Sequence, residues 1–125
     1  MRYSYNQQLT PPAPFVHITL RRPTGGPVLP DIPAQLDSGA DISVLPWHAV
    51  ESLGLVQLDE LPIMGFGGHV MLVPIYLVEI GIRELEPFVI RALGSRDEAY
   101  PLVGRDVLNH YRVLLDGPRQ ILEID

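Results

Sequence analysis

The stretch QLDSGADISVLP, residues 35–46, sets a carboxylate between two apolar runs. Leu36 on one side and Ile42 to Leu45 on the other read as strand, while Asp37, Ser38, Gly39, Ala40 and Asp41 read as a turn. Asp is a poor strand residue, and Asp close to Gly ordinarily caps its own backbone at the surface. The flanks of this turn belong inside a protein. Gly39 and Ala40 are small, as a close backbone approach requires. The segment poses the question that organises the rest of the chain: why a strand that reads as buried carries an acid at its tip.

Working outward, PFVHITLRRP alternates with period two and predicts a strand, TGGP a turn, and VLPDIPAQL a returning strand whose prolines call for an edge position or a bulge. DISVLP is a short strand. PWHAVESLGL predicts a helix, with Pro46 in its first turn and Gly54 at its C-terminal cap. LPIMGFGGHVMLVPIYLVEIGI reads as two strands around a glycine-rich tip. PFVIRAL and PLVG are further strands, RDVLNHY a short helix, and RVLLDGPRQILEID a closing hairpin. Residues 1–13 are polar and proline-rich and read as a flexible arm preceding a domain of residues 14–125. The class is mainly β, a closed or sandwiched barrel of about eight or nine short strands with two short helices.

Composition narrows the function. A chain of 125 residues suggests one domain with a real core. Its 46% hydrophobic content leaves room for a buried interface between copies. The net charge is −6, all nine basic residues are Arg, and Arg21-Arg22 is their only adjacent pair, which argues against nucleic acid as a partner. The absence of cysteine removes disulfides, thiol catalysis and cysteine-held zinc, and fits a cytoplasmic protein. The start of the sequence does not read as a signal peptide. The longest apolar run, Val70 to Val78, is broken by Pro74 and far short of a membrane helix, so no membrane partner is expected.

Two other segments bear on the acid. IMGFGGHV, with Gly65, Gly67 and Gly68 around Phe66, is a hairpin tip able to close over a ligand. It is no phosphate loop, because position 70 is Val and no Lys follows. PLVGRDVL runs an apolar strand into Gly104, then opens a helix with Arg105 and Asp106.

In this order, LDSGAD, IMGFGG and LVGRDVL resemble the catalytic loop, flap and supporting helix of the retropepsins, the retroviral-type aspartic proteases. The resemblance spans roughly residues 14–125. It implies an acid-protease half: a closed β-barrel with two short helices, a flap hairpin and a C-terminal hairpin. Two such loops would meet at the floor of a cleft, each giving one Asp, the pair sharing a proton. The buried flanks then hold the loop rigid while its tip faces the cleft. The Asp-Ser-Gly triplet occurs once, so the second Asp must come from a second copy, which implies a two-fold homodimer.

Carried onto this sequence, the resemblance makes Asp37 the catalytic residue, with Ser38 bonding across the axis and Gly39 and Ala40 shaping the loop. Asp41, Ile63, Met64, Gly65, Phe66, Gly67, Gly68, Tyr100 and Leu102 would contact an extended polypeptide substrate. Gly104, Arg105 and Asp106 would be structural, Arg105 pairing with Asp41 near the dimer interface. No cofactor or metal is implied, and pepstatin-type inhibition is. The implied activity is that of an aspartic endopeptidase. Two alternatives stand beside it: a retropepsin-fold module that dimerises or binds peptides without cleaving, and a metal enzyme using His17, His48, His69 and His110, whose spacings match no ligand motif.

Overall fold

The structure, a computed structural model, describes residues 1–65 and 67–125. Its elements are, in order, β1 (Arg2–Ser4), β2 (Phe15–Arg21), β3 (Val28–Leu36), β4 (Val44–Pro46), α1 (Trp47–Leu53), β5 (Gln57–Met64), β6 (Val70–Gly81), β7 (Phe88–Ser95), β8 (Leu102–Val103), α2 (Arg105–Leu108), β9 (Val113–Asp116) and β10 (Ile121–Ile124). Among the described residues, no helix is long and apolar enough to cross a membrane.

The period-two pattern of β2 sends Val16, Ile18 and Leu20 fully inside. Tyr76, Val78 and Ile80 of β6 do the same. Strands β2, β3, β8, β4, β7 and β6 are hydrogen-bonded in that order, and β6 pairs again with β2 through Thr19↔Gly81 to Arg21↔Glu79. That last pairing closes the barrel. The 12-residue β6 serves two neighbours in one sheet: Ile75–Ile80 pairs with β7, and the strand from Val70 to Tyr76 pairs with β5. β5 therefore projects from the barrel as half of a hairpin.

The prolines of β3 sit as their chemistry demands. Beyond Gln35 and Leu36, which pair with β8, the strand has, among the described residues, only β2 beside it, so Pro30 and Pro33 face no second ladder there. The register slips between Ile18 and Leu20, where Asp31 takes a positive φ of 51°.

Helix α1 starts after Pro46 and ends at Gly54, which is left-handed at φ 60°, with its N–H bonded to Glu51 and that of Leu55 to Val50. Its buried face, Ala49, Val50 and Leu53, packs on β3, β4 and β7.

The N-terminal arm departs from expectation. Instead of hanging free, Arg2–Ser4 pairs with β10, which pairs in turn with β9, giving a terminal sheet ordered β1-β10-β9 within one chain. Tyr3 is buried in the core beside Leu122 and Ile124, and Arg2 bonds Glu123 at 2.8 Å. Further along, Asn6 bridges Ala13 through two backbone bonds. The physical reason is burial of the Tyr3 ring together with backbone pairing to β10, which offset the entropy of ordering a short strand whose partner is already formed.

Candidate active site

Asp37 stands one residue beyond the end of β3, half-buried, where β3 and β8 run parallel. Its N–H bonds the Val103 carbonyl at 2.9 Å, which extends the ladder one step past Leu36. The chain then turns sharply. The Gly39 N–H donates to Asp37 Oδ1 at 3.0 Å, and the Ala40 N–H to the Asp37 carbonyl at 3.1 Å. The strand is buried to anchor the turn, and the turn presents the acid.

The segment behind the loop locks it. Gly104 has no room for a side chain, because a Cβ there would lie 2.8 Å from the Ala40 carbonyl. That closeness lets the Arg105 N–H reach the same carbonyl at 2.9 Å. The Arg105 guanidinium donates from Nη1 to the Ser38 carbonyl at 2.7 Å and from Nη2 to Asp41. The expected Arg105–Asp41 pair is thus present within one chain. In that chain it is not buried: the two side chains are 44% and 82% exposed, so it ranks with surface pairs worth roughly 0–1 kcal/mol.

A residue not singled out from sequence completes the lock. Ser43, 2% exposed, donates its hydroxyl to Asp106 Oδ1 at 2.7 Å and accepts the buried Gly104 N–H at 2.9 Å. Its own N–H donates to Asp106 Oδ2 at 3.0 Å. Asp106 thereby pins the start of α2 to the strand that follows the acid loop. The signal was a serine alternating with Ile42 and Val44 in an apolar strand, where a hydroxyl needs a partner.

The hairpin of β5 and β6 overhangs this loop. Its register runs to Met64↔Val70, and the tip is held by Gly65 N–H to the His69 carbonyl at 2.9 Å. Gly67 and Gly68 take φ of 89° and 81°, which side-chain-bearing residues rarely adopt. Met64, Val70, Met71 and Leu72 are all exposed on the hairpin. Phe66, named as a tip contact, lies outside the described residues.

Loop and hairpin enclose a groove of about 870 Å³ lined by Asp37, Gly39, Ala40, Asp41, Ile42, Val44, Pro62, Ile63, Met64, Gly65, Leu93, Glu98 and Leu102. Of the expected contacts, Asp41, Ile63, Met64, Gly65 and Leu102 meet there around Asp37. Gly67 and Gly68 form the tip beyond it. Tyr100 does not line it; its ring packs edge-on against Phe15, centroids 5.0 Å apart. Glu98, from the polar loop before β8, was not anticipated. A second groove of about 820 Å³, between β5, β7 and α2, contains neither Asp37 nor the hairpin tip. Among the described residues, no three His, Asp or Glu side chains gather as a metal site.

The chain has the retropepsin-like fold. It superposes on a retropepsin-like aspartic protease from Rickettsia conorii with a TM-score of 0.65 and 14% identity, over 98% of this chain and 86% of that one. The EIAV protease complexed with the inhibitor HBY-793 gives 0.60 and 22%, over 86% and 93%. The retroviral protease-like domain of Ddi1 from Leishmania major gives 0.51 and 20%, over 89% and 88%. At these identities the likeness concerns the fold. No family model and no curated protein matches the sequence.

Proposed function

We propose that this chain is one subunit of a homodimeric aspartic endopeptidase that hydrolyses peptide bonds in extended polypeptide segments. The observation that carries the reading is Asp37 at the floor of a groove roofed by a glycine-tipped hairpin, on a loop immobilised by Gly104, Arg105 and the Ser43–Asp106 bonds. The shared fold with a retropepsin-like aspartic protease, the EIAV protease and a retroviral protease-like domain supports it.

In this reading two copies bring their Asp37 loops together on a two-fold axis. The carboxyls share one proton, since two like charges in contact cannot both ionise. The ionised member takes a proton from water as it attacks the peptide carbonyl, and the protonated member gives its proton to the carbonyl oxygen. Ser38, at the exposed turn, bonds across the axis. The hairpin lays its backbone along the substrate as an added strand, and Ile63, Met64 and Leu102 form side-chain pockets. The terminal sheet offers a docking edge in β9, where Leu114 and Leu115 are exposed.

The test is cleavage of an unstructured protein across pH, with and without a pepstatin-type inhibitor, by the parent and by Asp37→Asn. Cleavage is expected to be best in mild acid, to fall toward alkaline pH as the shared proton is lost, and to vanish in the variant while fold and dimer persist. Equal rates for the two proteins refute the assignment.

A further inference from the structure

Resting on the peptidase reading, we infer that Glu98 selects a basic side chain, Arg or Lys, in the polypeptide segment bound beside Asp37. Among the described residues, three acids and no basic residue line the groove. Two of the acids are already committed. Asp41 is paired with Arg105, and Asp37 turns Oδ1 to the Gly39 N–H and belongs to the reaction. Glu98 is half-buried and, among the described residues, has neither an ion-pair nor a hydrogen-bond partner. The nearest cation in sequence is turned away, since the Arg96 guanidinium lies 4.3 Å over the Trp47 ring.

The rest of the lining suits the same occupant. Ile42, Val44, Ile63, Leu93 and Leu102 make an apolar wall along which the methylene stem of Arg or Lys lies while its head meets the carboxylate. A Glu in the substrate would instead place like charges in a partly desolvated groove. In the two-fold dimer each subunit supplies one Glu98, so the preference recurs on both sides of the axis.

The experiment uses short fluorescein-labelled unstructured peptides, identical except that one position, scanned along the peptide, is Arg, Leu or Glu. Binding is measured to Asp37→Asn protein, so that it does not depend on turnover. At one or more positions the Arg peptide is expected to bind at least about tenfold tighter than the Glu peptide, as a charge-assisted bond gives. Adding Glu98→Gln should remove most of that contrast. Adding Asp97→Asn, which deletes an equal charge one residue away and outside the groove, should preserve it. No contrast, a contrast that survives Glu98→Gln, or one lost equally with Asp97→Asn overturns the proposal. Cleavage by the parent separates the two readings. A protein that binds with the Glu98-dependent contrast but cleaves nothing refutes the peptidase and leaves the selectivity standing. One that cleaves without any Glu98-dependent preference overturns the selectivity alone.

Discussion

Ser43→Ala tests the lock behind the acid loop. The hydroxyl makes two bonds from a 2% exposed site: it donates to the Asp106 carboxylate and accepts the buried Gly104 N–H. Losing the charge-assisted bond costs about 1.5–3 kcal/mol, and stranding the Gly104 N–H costs about 1–3 kcal/mol. Both effects pass through one oxygen, so they do not simply add, and the expected loss is about 2–4 kcal/mol. Against a total stability on the order of 10 kcal/mol, that is a large fraction. Urea unfolding, at one protein concentration because the proposed association would shift the midpoint, reads it directly. With a slope near ~2 kcal/mol/M, the midpoint should fall by about 1–2 M without a change in slope. Ser43→Thr keeps the oxygen and should recover more than half of the loss. An alanine variant within ~0.5 kcal/mol of the parent, or threonine and alanine variants equally unstable, would refute the reasoning, because the bonds would then contribute only packing.

Other outcomes follow from the same geometry. Arg105→Lys gives up the fork that holds Ser38 and Asp41 together and should cost only about 1 kcal/mol in unfolding while lowering cleavage at least about tenfold; Arg96→Lys, which weakens the stacking on Trp47, should cost about 0.5 kcal/mol and leave cleavage intact, so equal cleavage by the two variants sinks the loop-locking role. Deleting 121–125 removes the middle strand of the terminal sheet together with fully buried Leu122 and Ile124, so circular dichroism should report loss of fold; Leu115→Arg, on the exposed β9 edge, should leave the fold intact and weaken the proposed dimer in sedimentation. Hydrogen bonds from Arg2 and Arg83 hold the carboxyls of Glu123 and Asp31 below their ordinary values, so the stabilisation they give is full above about pH 4–4.5 and fades as pH falls through the lower folded values; a melting temperature unchanged from pH 5 to 2.5 would contradict this. Burial pushes the Tyr3 phenol up, against the opposing pull of Arg83, so its contribution is present below about pH 10 and is lost as pH rises through the folded value, and Tyr3→Phe should flatten the alkaline limb of the same curve.

How much of this was legible in the sequence depended on how local the deciding contact was. Helix α1 declared both its ends through Pro46 and Gly54, and β2 declared its inward face by alternation. The hairpin over the groove followed from strands flanking three glycines. β1 was hidden because its partner lies about 120 residues away and its only buried residue is Tyr3; a polar proline-rich neighbourhood masked a strand created by tertiary pairing. Barrel closure through β2 and β6 is likewise non-local, with no residue at Thr19 or Gly81 that advertises it. Around the groove, Ile63, Met64 and Leu102 came from a resemblance of motifs, whereas Ser43 and Glu98 have ordinary identities and gain meaning only from what faces them. Tyr100 shows the converse: an aromatic next to a motif was satisfied by Phe15 instead.

The terminal sheet has a consequence for how the chain folds. The amino group of Met1 bonds the Ile124 carbonyl at 2.7 Å, and the Ile124 N–H returns to Met1 at 2.9 Å. The end strands are therefore paired within a single chain. Its refolding should be first order, with a rate independent of how much protein is in the tube. In the proposed homodimer, association would be a separate, later, second-order event between folded chains. A freshly made subunit would then persist as a folded and silent monomer until its numbers rise, so that abundance rather than folding times the onset of any activity that needs two copies.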